Sequence, residues 1–307
     1  MNTDIIEKIK KVTDAGNVSA DEDMGRHTTF RTGGSADLFV TPADHKEATE
    51  IVRLLLTEGV PYTVMGNGSN MLVSGSGYRG CIIRLGKGMD DISVNGTTIT
   101  AGAGALLSKV AGAAYEHGLT GLEFASGIPG SLGGAVVMNA GAYGGQMADV
   151  IKSVRMFDAK TGETVTLPAD EMEFGYRMSI IKHHPYMVLE VQMELIQGDK
   201  DLIRARMEEL AVARRAKQPL EYPSAGSTFK RPEGYFAGKL IEDTGLKGFT
   251  VGGAGVSEKH CGFVINKGGA TADDIIDLIR TVRERVYEKF EVMLEPEVII
   301  LGDDVKI

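Results

Sequence analysis

Two glycine-rich segments of the sequence have the composition of loops that hold phosphate through their backbone. GNGSN spans residues 66–70 and GIPGSLGG spans residues 127–134. Glycine permits tight turns and close approach to a ligand, and successive N–H groups can bind phosphate without basic side chains. Either segment alone could be an ordinary turn, and neither has the spacing of a GxGxxG motif or a Walker loop. Together they predict two walls around a pyrophosphate.

The distribution of glycine supports an ordered ligand site. Of the 40 glycines in the 307 residues, 20 lie between Gly66 and Gly145, whereas the following 80 residues contain three. Such density could also indicate disorder, but strand-like apolar runs at 81–85 and 97–101 interrupt it, and no short unit repeats. We therefore expect folded backbone that must turn tightly or lie close to a ligand.

Length and charge narrow the class of protein. A chain of 307 residues has material for about two domains with real cores. Its 42 acidic against 33 basic residues argue against a protein that coats nucleic acid. No apolar run approaches the ~18 residues of a membrane span, and the charged N-terminus lacks the apolar core of a signal peptide. The sequence therefore predicts a cytoplasmic protein with no membrane span and no nucleic-acid partner.

Cysteine and histidine form no pattern of metal ligands. Cys81 and Cys261 are far apart in the sequence, and we expect them to be reduced, buried thiols. His183 and His184 are adjacent, so their side chains point apart on extended backbone, and no third ligand is evident. We predict no metal site.

The first glycine segment follows a predicted strand. Residues 61–65 have the pattern of a strand, and apolar residues before them, from Ala48 to Leu56, repeat at helical spacing. TPAD at 41–44 indicates a capping box with proline at the first helical position. The segment 66–70 is therefore expected at the carboxyl end of a strand in an αβ unit, where ligands commonly bind.

The rest of the chain alternates between strand and helix patterns, which is typical of an α+β protein. Leu189, Val191 and Met193 share one face of a long strand, and Thr271 with Asp274 predicts a capping box before a helix. Further strands are predicted at 36–40, 81–85, 91–95, 97–101, 153–158, 163–167, 261–266 and 298–301. Further helices are predicted at 106–117, 201–217 and 236–244.

Seven motifs occur in an order that resembles known families. Four of them resemble the FAD-binding domain of the vanillyl-alcohol-oxidase type: TFRTGG at 29–34, GNGSN at 66–70, GLEFASGIPG at 121–130 and NAGAYG at 139–144. Three more follow: YRMS at 176–179, SAGSTFK at 224–230 and LEPEV at 294–298. The complete set resembles the UDP-N-acetylenolpyruvoylglucosamine reductase family over nearly the whole chain.

This resemblance implies an α+β fold with a two-part FAD-binding domain of the vanillyl-alcohol-oxidase type, followed by a smaller α+β substrate-binding domain. It implies an N-terminal helical segment at 1–30, the FAD-binding domain at 31–200, and the substrate-binding domain at 201–307, whose final strand returns toward the FAD-binding domain. FAD is expected to be noncovalent, because the first glycine segment holds Asn67 and no histidine. NADPH is the expected reductant, UDP-N-acetylenolpyruvoylglucosamine the expected substrate, and a monomer the expected state.

The resemblance assigns Arg177, Ser227 and Glu297 as catalytic residues in the reduction of an enolpyruvyl ether to a lactyl ether. Hydride addition moves negative charge into the substrate carboxylate, which Arg177 would stabilise. Glu297 could do so only when protonated, which requires burial. Ser227 would donate the proton, and because serine is a weak acid, a cation such as Lys230 or a water relay is expected nearby.

Further contacts follow from the resemblance. The predicted cofactor-binding residues are Met65, Gly66, Asn67, Gly68, Ser69, Asn70, Met71, Ala125, Ser126, Gly127, Ile128, Gly130, Ser131, Gly133, Gly134, Asn139, Gly141, Ala142 and Arg214. The predicted substrate contacts are Tyr143, Lys217 and Lys230. Only about ten residues separate Arg177 from the strand near Met187, so the chain resembles the shorter class of the family, which lacks a tyrosine lid.

Two other functions fit part of the pattern. A flavin oxidase on the same scaffold would pass electrons to oxygen, but many such oxidases attach FAD through a histidine in the first glycine segment, and the segments of Ser227 and Glu297 argue against this class. A nucleotide-binding module without catalysis is the second alternative, and the three catalytic residue types argue against it.

Overall fold

The structure is a computed structural model that describes residues 3–302. It consists of two compact units, each assembled from three stretches of chain. Unit 1 comprises residues 3–19, 38–67 and 80–214, and unit 2 comprises residues 20–37, 68–79 and 215–302. The domain boundaries after residues 30 and 200 stay a prediction.

The described residues contain seven α-helices: α1 (Thr3–Ile9), α2 (His45–Thr57), α3 (Leu107–Glu116), α4 (Leu132–Val137), α5 (Lys200–Lys217), α6 (Ala237–Asp243) and α7 (Ala272–Phe290). The longer helices are amphipathic, as their apolar spacing predicted. One face of α2 buries Ile51 and Leu55, and one face of α7 buries Ile279 and Val286.

The same residues contain eighteen β-strands: β1 (Val18–Asp23), β2 (Ser35–Val40), β3 (Tyr62–Met65), β4 (Met71–Val73), β5 (Tyr78–Arg84), β6 (Ile92–Asn95), β7 (Thr98–Gly102), β8 (Leu119–Thr120), β9 (Gly141–Ala142), β10 (Gly145–Gln146), β11 (Ile151–Asp158), β12 (Glu163–Pro168), β13 (Tyr186–Glu194), β14 (Ile196–Gln197), β15 (Thr250–Val251), β16 (Ala254–Val256), β17 (Val264–Asn266) and β18 (Ile299–Leu301).

Two sheets build unit 1, although the division between the units falls within β1, β2 and β5. The first sheet has the order β1-β2-β5-β3, and β3 runs parallel to β5 with Tyr62 opposite Cys81. The second has the antiparallel order β12-β11-β13-β7-β6. Leu189, Val191 and Met193 of β13 are buried, as their alternation predicted.

Unit 2 has its own core, to which all three of its chain stretches contribute. Phe30, Leu72 and Ile279 are fully buried there together. The antiparallel sheet β15-β16-β17 packs against α7, and β18 runs parallel to β4 with Ile299 opposite Met71. The final strand is therefore tied to the short strand that follows the first glycine segment.

The amino-terminal segment is less helical than predicted. Within residues 3–30, only α1 is an α-helix, and β1 occupies Val18–Asp23. The strand has the outermost place in the order β1-β2-β5-β3, and its last three residues are acidic. Charged residues suit an edge strand because they discourage pairing with another chain, and this tertiary placement overrides the helical expectation.

The predicted capping box at 41–44 is wrong in position. α2 begins at His45 with Asp44 as its N-cap, and Asp44 Oδ1 accepts a hydrogen bond from Glu47 N at 2.8 Å. Glu47 Oε2 in turn accepts from Ala43 N at 2.8 Å. The acid at position 44 therefore starts the helix, and the proline precedes it.

Asp44→Ala is expected to lower the free energy of unfolding by about 1 kcal/mol, because it leaves the Glu47 N–H without its cap. The corresponding fall in Tm, measured by circular dichroism, is about 2–4 °C. Thr41→Ala is the matched control, since Thr41 lies outside the observed cap, and it should leave Tm unchanged. An equal fall in Tm of the Thr41→Ala variant would support Thr41 as the N-cap and contradict the cap at Asp44.

Candidate functional site

The two glycine segments meet in unit 1, at the carboxyl end of β3. A Cβ atom built on Gly66 would lie 1.8 Å from Ser131 Oγ, so only glycine fits this close approach. Asn67 Nδ2 donates a hydrogen bond to the Pro129 carbonyl at 2.6 Å. The first two residues of the first glycine segment therefore contact the middle of the second glycine segment.

The second glycine segment is held from its other side by the turn after β7. The N–H groups of Leu132 and Gly133 donate to the carbonyls of Ala105 and Ala103, each at 2.8 Å. A Cβ on Gly133 would lie 2.9 Å from Ala103 Cβ, so this contact also favours glycine. The segment is thus anchored through its backbone on a buried turn.

Arg214, near the carboxyl end of α5, has no acidic partner among residues 3–302. Burial lowers the pKa of its guanidinium, and the nearby Tyr143 partly offsets this effect. A Cβ on Gly127 would lie 3.0 Å from Arg214 Nη1, so the guanidinium lies against the second glycine segment. A partly desolvated cation beside a glycine loop suits an anionic ligand.

A two-residue turn presents Tyr143 at the tip of a hairpin. β9 and β10 pair with Ala142 opposite Gly145, so Tyr143 and Gly144 form the turn. Their φ angles are +53° and +90°, as a type I′ turn requires. Tyr143 is 41% exposed, which leaves its ring accessible to a ligand.

A second short turn presents Arg177. Gly175 and Met178 exchange backbone hydrogen bonds of 3.1 and 3.2 Å, so Tyr176 and Arg177 lie at the tip. The Arg177 guanidinium lies 5.2 Å from the centroid of the Tyr176 ring. Arg177 has a φ of +55°, and non-glycine residues held in this left-handed region cluster at functional sites.

In unit 2, two predicted catalytic segments lie side by side although 70 residues separate Ser227 from Glu297. Phe229 and Pro296 form an antiparallel bridge, and Glu297 N donates to the Thr228 carbonyl at 2.8 Å. The register of this ladder places Glu297 opposite Thr228, so the half-buried residues Ser227 and Glu297 lie near each other at one end of the bridge.

The Ser227 segment is fixed on its other side by the sheet of unit 2. Thr228 is fully buried, its N–H donates to the Gly262 carbonyl at 2.8 Å, and its Oγ1 accepts from Val264 N at 2.9 Å. Gly226 has a φ of +78°, which glycine adopts without strain. Ser227 therefore lies between Gly226, whose backbone is left-handed, and the buried, hydrogen-bonded residue Thr228.

The two predicted substrate lysines have different surroundings. Lys230 N donates to the Glu295 carbonyl at 2.8 Å, and its ammonium pairs with the Glu295 carboxylate. Lys230 thus belongs to the ladder that carries Glu297. Lys217 is the exposed last residue of α5. Substrate binding by either lysine stays a prediction.

The end of the first glycine segment lies in unit 2, beside β18. Asn70 Nδ2 donates to the Glu297 carbonyl at 3.1 Å, and Ile299 N donates to the Asn70 carbonyl at 3.0 Å. Asn70, a predicted cofactor contact, therefore also anchors the backbone of Glu297.

Thr29 is a candidate ligand residue that the sequence analysis quoted in a motif but did not assign. Its N–H donates to the Gly68 carbonyl at 3.1 Å, and its buried Oγ1 has no hydrogen-bond partner within residues 3–302. An unsatisfied buried hydroxyl costs about 1–3 kcal/mol, which a ligand accepting its hydrogen bond would remove. Its place in TFRTGG, one of the motifs on which the predicted resemblance to FAD-binding domains rests, was the indication that could have identified it.

The remaining predicted cofactor contacts divide between the units. Ser126 Oγ donates to the Glu123 carbonyl at 2.8 Å, so this hydroxyl already has a local partner. Unit 1 holds Met65, Gly66, Asn67, Ala125, Ser126, Gly127, Ile128, Gly130, Ser131, Gly133, Gly134, Asn139, Gly141, Ala142 and Arg214, and unit 2 holds Gly68, Ser69, Asn70 and Met71. Their contacts with a cofactor stay a prediction.

The donor groups suit FAD in each unit taken by itself. Unit 1 offers the joined glycine segments, in which the N–H groups of Ile128, Leu132 and Gly133 already have protein acceptors, together with the cation of Arg214. Unit 2 offers the hydroxyl of Thr29, which has no hydrogen-bond partner among the described residues. No three or more His, Cys, Asp or Glu side chains in the described chain are arranged to hold a metal ion. Over the same residues, no helix combines the length and apolar character needed to cross a membrane.

Two family models match the chain. Residues 218–301 match the model described as UDP-N-acetylenolpyruvoylglucosamine reductase, C-terminal domain. Residues 36–168 match the model described as FAD binding domain. The first match contains Ser227 and Glu297, and the second contains both glycine segments.

Relatives match over nearly their full length. The UDP-N-acetylenolpyruvoylglucosamine reductase of Clostridioides difficile (strain 630) is 50% identical over 303 residues, which is 99% of each chain. That of Clostridium perfringens (strain SM101 / Type A) is 52% identical over 287 residues, 94% of each chain. The crystal structure of the reductase from Thermus caldophilus has a TM-score of 0.79 and 36% identity, covering 93% of this chain and 98% of that chain.

Proposed function

Because the chain belongs to the UDP-N-acetylenolpyruvoylglucosamine reductase family, we propose that it uses NADPH and FAD to reduce UDP-N-acetylenolpyruvoylglucosamine to UDP-N-acetylmuramate. The reaction adds one hydride and one proton across the carbon–carbon double bond of the enolpyruvyl ether, while NADPH is oxidised to NADP⁺. The product is a precursor of peptidoglycan.

The chain's own groups would hold the cofactor by charge and hydrogen bonding. FAD supplies the chemistry of hydride transfer from NADPH to the substrate. In unit 1, backbone N–H groups of the glycine segments and the guanidinium of Arg214 would bind negative charge. In unit 2, the hydroxyl of Thr29 would donate to an acceptor oxygen, which satisfies a donor that the protein itself leaves unpaired.

Arg177 would stabilise the charge that develops on the substrate. Hydride addition to the terminal carbon moves an electron pair into the carboxylate and gives an enolate-like dianion. A planar guanidinium offers two parallel N–H donors to a carboxylate, and such preorganised donors are a major source of rate enhancement. The short turn between Gly175 and Met178 carries this guanidinium at its tip.

Glu297 and Ser227 would act from the ladder in unit 2. A protonated Glu297 would donate a hydrogen bond to the same developing charge, as neutral carboxylic acids do in other active sites. Ser227 would deliver the proton to the neighbouring carbon, and the adjacent ladder residue Lys230 is the candidate cation that makes this transfer easier.

One structural observation carries the assignment of these roles. The segments of Ser227 and Glu297 are distant in sequence, yet Phe229 bridges Pro296 and the Glu297 N–H donates to Thr228. A proton donor and a carboxylic acid carried by two hydrogen-bonded segments would supply the two kinds of group that addition to an enol ether requires.

The experiment is an anaerobic titration of the purified protein followed by visible absorbance. The expected spectrum contains the flavin bands, which bleach on addition of NADPH and recover on addition of UDP-N-acetylenolpyruvoylglucosamine. Recovery with oxygen but never with this substrate would indicate a flavin oxidase instead. A protein that binds nucleotide but never bleaches would be a binding module without catalysis.

A further inference from the structure

Asn139 ends α4 and is buried, with 2% of its surface exposed. Its N–H donates to the Val136 carbonyl at 3.1 Å, and Ala140 N donates to the Ala135 carbonyl at 2.8 Å. These two hydrogen bonds form a Schellman motif, in which the residue at this position is usually glycine with left-handed backbone. The φ of Asn139 is +40°. Glycine would satisfy this backbone geometry, so the geometry does not explain why residue 139 carries an asparagine side chain.

The side chain of Asn139 joins two other segments of unit 1. Nδ2 donates to the Gly175 carbonyl at 3.0 Å and to Gln146 Oε1 at 3.1 Å, and Oδ1 accepts from Ala148 N at 2.9 Å. Both amide hydrogens are used inside the protein, so the side chain has no donor left for a ligand. The cofactor contact that the sequence predicts would therefore have to use an acceptor oxygen of Asn139 and not one of its N–H groups.

These hydrogen bonds reach the bases of the two short turns. Gly175 is the first residue of the turn that presents Arg177, and Gln146 lies in the hairpin that presents Tyr143. A single buried amide therefore ties together the loop of a proposed catalytic residue and the loop of a predicted substrate contact.

The Arg177 turn is anchored on both sides to the end of α4. Ser179 Oγ donates to the Val137 carbonyl at 2.9 Å, and Gly175 is held by Asn139. Within the turn, backbone hydrogen bonds connect only Gly175 and Met178 to each other. Loss of the Asn139 amide would thus release one of the hydrogen bonds that anchor the turn, while the bonds between Gly175 and Met178 could remain.

We propose that Asn139 is a positioning residue, whose amide holds the turn of Arg177 and the hairpin of Tyr143 in one fixed arrangement. The inference rests on the proposed function, in which Arg177 stabilises the substrate carboxylate. A displacement of about 1 Å in an oriented group can slow a reaction by about 10²-fold. Asn139 therefore acts on the step that uses Arg177 and leaves flavin reduction by NADPH unaffected.

Asn139→Gly tests this role, because glycine keeps the left-handed backbone and removes only the amide. We expect unchanged FAD content, unchanged flavin reduction by NADPH, and reoxidation by UDP-N-acetylenolpyruvoylglucosamine slowed about 10- to 100-fold. In an Arg177→Ala background, the same substitution should cause little further slowing, since no guanidinium is left to misplace. Anaerobic stopped-flow absorbance measures both half-reactions.

A second variant and a matched control separate positioning from stability. Asn139→Asp keeps the shape and the acceptor Oδ1 but removes both donors, so it should show the same selective loss. Asp158→Ala is the control: Asp158 is a buried residue of unit 1 whose Oδ1 accepts from Lys160 N at 2.8 Å, in a turn that makes no hydrogen bond to the Arg177 turn or to Asn139 within residues 3–302. It should lower Tm and leave both half-reactions unchanged.

Three results would overturn the positioning role. The first is reoxidation at the original rate in both Asn139 variants. The second is that Asn139→Gly slows reoxidation by the same factor in the Arg177→Ala background as in the unsubstituted protein. The third is loss of FAD from Asn139→Gly, which would assign Asn139 to cofactor binding. Failure of the unsubstituted protein to be reoxidised by the nucleotide sugar is a different result, which rejects the proposed function before any variant is compared.

Discussion

Ser227→Ala is expected to separate the two half-reactions. Flavin reduction by NADPH should keep its original rate, because the Ser227 hydroxyl is needed only when the substrate carbon takes up its proton. Reoxidation by UDP-N-acetylenolpyruvoylglucosamine should slow by at least ~10²-fold, the usual contribution of a positioned general acid. Stopped-flow absorbance of the flavin under anaerobic conditions measures each rate in the same preparation.

The surrounding structure makes this variant a clean test. Thr228 keeps its hydrogen bonds to Gly262 and Val264, and the bridge from Phe229 to Pro296 does not involve the Ser227 side chain. Tm should therefore stay the same, which serves as the control for folding. Slow reduction by NADPH with normal reoxidation would show that Ser227 has a different role.

Gly66→Ala is expected to disrupt the junction of the two glycine segments and to cause loss of FAD. The new Cβ would lie 1.8 Å from Ser131 Oγ and 2.8 Å from Ser131 Cβ, so the side chain or the backbone must move. Overpacking of this kind costs about 1–3 kcal/mol and displaces the N–H groups beside it. The flavin-to-protein absorbance ratio of the purified variant should fall markedly, together with Tm.

A paired variant tests the cause of this loss. Ser131→Gly removes both clashing atoms, so the double variant Gly66→Ala/Ser131→Gly should recover most of the bound flavin. Gly112→Ala is the matched control, because Gly112 lies in α3 and a Cβ there meets nothing within 4 Å. Failure of the double variant to recover flavin would mean that Gly66 is required for another reason, such as direct contact with the cofactor.

Local sequence patterns predicted the elements whose determinants lie close together in the chain. The capping box of α7 is present as predicted: Asp274 N donates to Thr271 Oγ1 at 3.1 Å, and Thr271 N donates to Asp274 Oδ2 at 2.9 Å. Both partners lie within one helical turn, so no tertiary contact is needed to form them. At α2, the sequence pattern placed the cap at Thr41, whereas the structure begins the helix after Asp44.

The predicted family and fold class are confirmed. The matched FAD-binding domain over 36–168 and the similarity to the Thermus caldophilus reductase agree with an α+β protein whose FAD-binding domain is of the vanillyl-alcohol-oxidase type. An ordered set of seven motifs identified this family because each motif keeps a backbone or side-chain requirement that few other sequences meet in that order. The catalytic roles of Arg177, Ser227 and Glu297 stay a prediction.

The sequence by itself determined the family, the glycine segments, the periodic helices and the residue types able to reduce an enol ether. Only the tertiary structure decided what neighbours those residues have. Within residues 3–302, it left the half-buried Arg214 without an acidic partner and the Thr29 hydroxyl unsatisfied, and it turned the amide of Asn139 toward Gly175. The physical reason is that burial and long-range hydrogen bonds depend on packing between distant segments, which no spacing along the chain encodes.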